Sequence, residues 1–334
     1  MSGHFFLPPT RESFARRVVS LWLRLLDTPL HSPTGRESEL VGELKETCRN
    51  IPPMQTGGLP GSLAAWIAYS NSVRDLILND DPRAFLRWRV IQTMLFASNQ
   101  LYVVRDLRFL RQRPDWKSKW RNAVRESPVG HPVPNALLPG SSGNLIHLAY
   151  HLVQFEIKSR LPVTEMNYIF EFGGGYGTMC KLFHNLGFRG KYLIFDLPVF
   201  SALQTFYLKT AGLTVHSVEE FKAAENGVLA ISDQGQLKDL LPSVGESSRA
   251  MFIATRSISE IPILERGFFL SLLRPFEAFL IYYSHTYREV DNTEFFRKWR
   301  EDFSKQIEWH NWQENDVEDS SYLVGRRKER GTGE

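Results

Sequence analysis

Cysteine is almost absent: Cys48 and Cys180 are the only two in 334 residues, and they stand far apart. That leaves no disulfide framework and fits a reducing compartment. No apolar run reaches the roughly 18 residues that a membrane-crossing helix needs, and the chain carries no internal repeat or low-complexity tract. A large charge of either sign is missing too, since 40 Lys and Arg against 37 Asp and Glu leave only +3. The average charge therefore says little about partners, although its distribution can. These absences argue against a secreted disulfide scaffold and against a helical membrane protein, and point to a folded cytoplasmic chain.

What is there begins with one amphipathic stretch. From Thr10 to Asp27, Phe14, Val18, Leu21, Trp22, Leu25 and Leu26 recur at helical spacing, with Arg11, Arg16, Arg17 and Arg24 interspersed. The arginines break any signal-peptide core. A helix docked on its own domain is the favoured reading, with peripheral contact to an anionic membrane surface as the other.

The chain then changes punctuation halfway. From Gly61 to Arg160, segments such as "SLAAWIAYSNSVRDLIL", "RAFLRWRVIQTMLFASNQLYVVRDLRFLRQ" and "NLIHLAYHLVQFEIKSR" read as helices separated by Pro-containing breaks. From Asn167 onward, "YIFEF", "KYLIFD", "LTVHSV", "AMFIAT" and "AFLIYY" alternate with helical stretches, the pattern of βαβ units in a mostly parallel sheet. "IEWHNW" and "SYLVGRR" are joined by a polar loop alone, so they read as an antiparallel pair at the sheet edge. The expected layout is a helical domain over 1–160, an α/β domain over 161–328 and a polar tail over 329–334.

At the first strand-to-helix turn of the second half stands Glu171-x-Gly173-x-Gly175-x-Gly177. Glycines at such a turn admit positive φ or a ligand lying against the main chain. The spacing is not GxGxxG, because Thr178 occupies the place of the third glycine, and no Gly-Lys-Ser/Thr follows as in a P-loop. An acid at the strand end would repel a pyrophosphate and suits a ligand with an amine and a sulfonium. Asp196 ends the next strand 19 residues after Gly177, placed to accept from a ribose diol.

Together these features resemble the S-adenosylmethionine site of Rossmann-like methyltransferases. The likeness extends through "EFGGGYGTMCKLFHNLGFRGKYLIFDLPVFSALQTFYL", "SSGNLIHLAYHL", "FIATRSISEIP" and "SYLVG", and spans roughly Asp81 to Gly325. The chain resembles a family of sugar O-methyltransferases from bacterial surface-polysaccharide loci. The resemblance implies a Rossmann-like α/β methyltransferase sheet with an antiparallel last strand, an all-α N-terminal domain on the acceptor side, and S-adenosylmethionine as cofactor. It implies cofactor contacts at Glu171, Gly173, Gly175, Tyr176, Gly177 and Asp196. The chain departs from the family at Arg256, where an aromatic residue is expected, and at His285, where a glutamine is usual. Both fall on the acceptor side.

Methyl transfer to a hydroxyl needs alignment and a base. Glu260 follows the fourth strand and is a candidate for either task; the plainer reading is a helix-start carboxylate. In "NLIHLAYHLVQFE", Asn144, His147, His151 and Gln154 form one polar stripe. His151 is the first choice of base, with Glu260 and His147 behind it, and Asn144, Arg256 and His285 are placed at the acceptor. The i, i+4 spacing of His147 and His151 suits zinc, but the Glu of HExxH is missing, so no metal is expected. The Asp291-Asn292 pair after the fifth strand is also placed to reach the acceptor, the plainer reading of Asp291 being a helix N-cap.

Between Arg83 and Arg125 eleven Lys or Arg face only Asp106 and Asp115. This is either a solvated surface or a guide for a phosphorylated acceptor such as a nucleotide sugar; no nucleic-acid motif accompanies it. Two rival functions stay open, an NAD-dependent Rossmann oxidoreductase and a non-catalytic cofactor-binding protein.

Overall fold

The computed structural model describes residues 29–95, 102–241, 244, 249–314 and 319–328; the Thr10–Asp27 stretch and the polar tail lie outside them. In the N-terminal half, α1 (Gly35–Asn50), α2 (Gly61–Asn79), α3 (Tyr102–Gln112) and α4 (Gly143–Ser159) are the main helices. Each end has a local cause. Thr34 caps α1 by accepting from the Glu37 N–H, Ser142 caps α4 by accepting from the Leu145 N–H, and Arg160 closes α4 in the left-handed region at φ 58°.

The second half supplies β1 (Tyr168–Phe172), α5 (Thr178–Asn185), β2 (Lys191–Phe195), α6 (Pro198–Thr210), β3 (Gly227–Ile231), α7 (Gln234–Leu240), β4 (Ala250–Thr255), α8 (Ile263–Ser271), β5 (Ala278–Ser284), α9 (Asn292–Asp302), β6 (Ile307–Gln313) and β7 (Ser320–Arg327). They build one seven-stranded sheet in the order β6-β7-β5-β4-β1-β2-β3. β1 to β5 run parallel to one another, and β7 is antiparallel to both β5 and β6. This is the Rossmann-like methyltransferase sheet, mostly parallel with an antiparallel last strand.

The inner strands are apolar on both faces, as a sheet covered twice requires. Ile169, Ile194, Met251 and Leu280 face the side packed by α4, α5 and α6, in a cluster that continues into α1, α2 and α3. Phe170, Leu193, Phe252 and Phe279 face the other side, under α7, α8 and α9. The helical half thus rests on the sheet through shared apolar burial, with α1 and α2 packed on α6 and α4 packed on α5 and β7.

Three expectations need correction. "LTVHSV" is not a strand: Val215 makes a single bridge to Val228, and the edge strand is instead Gly227–Ile231. The shorter "GVLAI" pairs with β2 through all five residues and buries more deeply than the half-exposed 213–217 run. The tract from Arg83 to Gln112 is not continuous helix, because Pro82–Arg87 is a 3-10 segment with Ala84 outside helical geometry, and Arg89–Met94 is a separate short helix. The N-terminal half is not purely helical either, since Pro134–Asn135 and Leu138–Ser142 pair as a small antiparallel ribbon.

Candidate active site

The carboxyl ends of β1, β2, β4 and β5 open into a cavity of about 540 Å³, roofed by α4 and walled by α2 and residues 94–95. That volume is within the range of small-molecule sites, and its position beyond the strand ends is where parallel sheets bind ligands.

At the floor lies the turn between β1 and α5. Gly173, Gly175 and Gly177 hold φ of 69°, 59° and 95°, so alternate residues of the turn adopt a conformation that side chains resist. At Gly173 space is decisive as well, since a Cβ would come 2.2 Å from Cβ of Ser257. Gly177 stands at the start of α5 against Leu208 rather than on the cavity wall. Among the expected cofactor contacts, it therefore serves the turn.

The loop and the end of β2 are locked together. Asp196 Oδ2 accepts from the Gly175 N–H at 3.1 Å and from Gln204 Nε2 at 2.9 Å, while Oδ1 accepts from the Leu197 N–H at 2.8 Å. Gln204, on α6, also donates to the Gly175 carbonyl at 3.0 Å. Sequence reasoning missed it, and a buried glutamine on an apolar helix was the available signal. Burial pushes Asp196 up to about 7, against the pull of those hydrogen bonds. Glu171 is only 3% exposed and accepts from the Tyr192 hydroxyl at 2.9 Å. Burial pushes it up to about 8, with Asp196 adding to the rise. A buried carboxyl raised this far is one on which an approaching cation would favour the charged form.

Apolar surface flanks the acids. Phe195 and Phe269, with ring centroids 5.1 Å apart, and Leu197 line the β2 side, while Ser232 and Gln234 close it beyond β3. Tyr176 lies under the roof with its hydroxyl 3.0 Å from Asn144 Nδ2 and its ring against Phe85 and Tyr207.

The roof carries the polar stripe. Asn144, His147 and His151 of α4 all line the cavity. His147 Nδ1 is 2.7 Å from Asp106 Oδ2, and His151 Nδ1 is 2.6 Å from the Tyr322 hydroxyl. Burial holds His151 well below the ordinary imidazole range, and His147 and two arginines push in the same direction. Opposite stand Arg256 and Glu260. Arg256 sits at φ 72°, a strained value for a residue with a side chain. Its guanidinium lies over the Tyr282 ring and donates to Ser284 Oγ at 3.1 Å. Glu260 is buried and pushed up to about 7, with Arg256 and a Trp66 hydrogen bond working against that rise. Its loop is held from below by Arg266, which donates to the carbonyls of Ser259 and Ile261.

His285 stands apart. It is not on the cavity wall; its Nε2 is 2.8 Å from Ser321 Oγ and its N–H donates to the Asp319 carbonyl. Asp291 caps α9 by accepting from the Thr293 N–H, and the neighbouring Asn292 is fully buried on the carbonyls of Ser259 and Ser284. Of the basic stretch, Arg83, Arg105 and Lys119 are paired with Asp81, Asp106 with Glu314, and Glu156. Arg108, Arg111, Lys117, Arg121 and Arg125 face outward. No group of three His, Cys, Asp or Glu side chains among the described residues is arranged to hold a metal.

With this geometry in hand, comparison with known proteins adds little. Neither protein-family models nor the curated proteins gave a match. Solved structures gave remote likenesses: a fibrillarin pre-rRNA processing protein of Methanococcus jannaschii (12% identity over 50% of this chain and 69% of that one, TM-score 0.34), the methyltransferase domain of bacterial CtHen1 (11% over 54% and 97%, TM-score 0.36) and precorrin-6y C5,15-methyltransferase of Geobacter metallireducens (14% over 54% and 87%, TM-score 0.33). The strand order, not these scores, assigns the fold.

Proposed function

We propose that this protein is an S-adenosylmethionine-dependent O-methyltransferase acting on a sugar hydroxyl in surface-polysaccharide or glycoconjugate synthesis. The observation that carries the reading is the positive-φ glycine turn joined to the Asp196 carboxylate at the mouth of a partly apolar cavity. These residues fit the cofactor. Asp196 is an acceptor for a ribose diol, Phe195, Leu197 and Phe269 offer apolar contact to a purine, and Glu171 gains a counter-charge when a cation approaches. Bound there, the cofactor supplies an electrophilic methyl group.

The remaining residues handle the acceptor. Asn144, Arg256 and Glu260 hold and orient it, and a base among His151, His147 and Glu260 takes the hydroxyl proton. Residues 1–160 form the acceptor side and 161–328 the cofactor domain. The outward arginines, Arg108 and Arg111 among them, suit an acceptor carrying phosphate, such as a nucleotide sugar. An NAD-dependent reaction fits less well, because the strand-end Glu171 opposes a pyrophosphate and Thr178 replaces the third fingerprint glycine.

The sugar assignment is tested with methyl-labelled S-adenosylmethionine and a panel of UDP- and GDP-linked hexoses. A labelled methyl ether on one sugar is the expected product. Transfer to RNA or a small phenol with none to any sugar would overturn the sugar acceptor.

A further inference from the structure

The geometry points to His147 as the residue that takes the acceptor's proton, positioned by Asp106, with His151 beside it as a hydrogen-bond donor; the inference rests on the methyl-transfer reading above. Asp106 belongs to no motif. It lies on α3, fully buried, and is brought to α4 by the packing of the two helices.

Its two oxygens have different tasks. Oδ1 accepts from Arg105 Nη2 at 2.9 Å and Nε at 3.2 Å, and Arg105 Nη1 reaches Glu314 Oε1 at 2.8 Å, beyond the end of β6. Oδ2 faces His147 Nδ1 at 2.7 Å. A carboxylate braced by a guanidinium can only accept, so Nδ1 of His147 carries the hydrogen and Nε2 keeps its lone pair. His147 lines the cavity, and its Nε2 has no hydrogen-bond partner among the described residues.

His151 receives the opposite instruction. Its Nδ1 meets the Tyr322 hydroxyl at 2.6 Å, and a phenol is the stronger acid of the two, so the phenol donates and Nε2 of His151 holds the hydrogen. The rings lie 4.2 Å apart, close enough that one imidazolium opposes a second. Around them stand Tyr102, Arg105 and Asp106 on or at the start of α3, Arg256 after β4, Tyr282 on β5, Glu314 after β6 and Tyr322 on β7. Of the two acids in this set, only Asp106 meets a histidine directly, at His147, while Glu314 is held by Arg105.

In the reaction the acceptor oxygen forms a bond to the methyl carbon as the carbon–sulfur bond breaks. The electron pair of that bond passes to sulfur, leaving a neutral thioether, and the hydroxyl proton passes to Nε2 of His147 and then to water. His151 holds the acceptor oxygen without competing for its proton.

Nitrogen-15 NMR of the imidazoles, on the full chain without cofactor, tests the assignment directly. The expected result is hydrogen on Nδ1 of His147 and on Nε2 of His151; the reverse on His147 overturns the proposal whether or not the enzyme turns over. Asp106→Asn presents an amide N–H to Nδ1 and should move the hydrogen to Nε2. Turnover of the hexose panel should then drop roughly 100-fold or more, with S-adenosylhomocysteine affinity within twofold of the wild type. Asp106→Glu should recover part of the loss, and the acid limb of the rate profile should shift to lower pH in Asp106→Asn. If Asp106→Asn does not fold, His147→Gln on the cavity wall gives the same reading, and wild-type turnover in either variant contradicts the proposal. Failure of the methyl-transfer reading looks different, as an unaltered wild type that ignores S-adenosylhomocysteine.

Discussion

The two ends of the cavity are built in different ways. The floor is assembled from neighbours in sequence: Glu171, the glycine turn, Asp196 and Gln204 lie within 34 residues, and the turn's own backbone takes part, the Gly175 N–H donating to Asp196 and the Gly175 carbonyl accepting from Gln204. The roof joins residues separated by 41, 171 and 209 positions, through Asp106 and His147, His151 and Tyr322, and Arg105 and Glu314. A backbone-made site has to be written as a motif, because only certain residues permit the conformation. A site made from side chains on packed helices and strands leaves no local mark.

The sharpest break in that comparison is at the floor. Gly173→Val adds a left-handed strain and a collision with Ser257, together roughly 4 kcal/mol. Thermal melting and S-adenosylhomocysteine titration should both fall sharply, and a wild-type response in both would show that the turn tolerates a side chain.

The next effect concerns pH. Glu171 is raised to about 8 by burial, above its unfolded value of 4.5. The folded chain therefore binds the extra proton, so the stabilising effect is complete below about 4.5 and is lost as pH rises towards 8. Asp196 and Glu260, both raised to about 7, slope in the same direction. Glu171→Gln should flatten the fall in stability between pH 5 and 8 by on the order of 3 kcal/mol. An unchanged slope in chemical denaturation would place the charge elsewhere.

Asp196→Ala should weaken S-adenosylhomocysteine binding by about 1.5 to 3 kcal/mol, the cost of removing hydrogen bonds to a charged acceptor. Calorimetry reads it, and the roof tautomers should not change. The smallest effect belongs to the outer surface. Raising salt from about 50 to 500 mM should lower the affinity of a phosphorylated acceptor and leave S-adenosylhomocysteine nearly unaffected, because screening acts on exposed charge within about 10 Å. Equal responses, or full activity in an Arg108→Glu and Arg111→Glu double variant, would return this stretch to plain surface.

The same contrast explains what the sequence made legible. The parallel sheet, the antiparallel edge pair and the glycine turn all follow from local pattern, as does the cap at Asp291. The third strand did not, because "GVLAI" starts with glycine and is short, while the more β-like "LTVHSV" meets the sheet only at one bridge, Val215 opposite Val228, with Thr214 and His216 bonded to the Val228 backbone. The histidine stripe on α4 was visible by spacing, yet its chemistry was not. Nothing near His147 names Asp106, and the interaction that ranks the two histidines exists only after α3, α4 and β7 pack together. His285 misled for the same reason: a strand end next to the site looks local, but Ser321 on the neighbouring strand and Asp319 just before it hold the residue off the cavity wall.

The central claim is the identity of the ligand on the floor. Isothermal calorimetry of the full chain with S-adenosylhomocysteine and with NAD, under one buffer, tests it most directly. The account predicts saturable binding of S-adenosylhomocysteine that is lost or greatly weakened in Asp196→Ala, and no binding of NAD. Tight binding of NAD with no response to S-adenosylhomocysteine would contradict it.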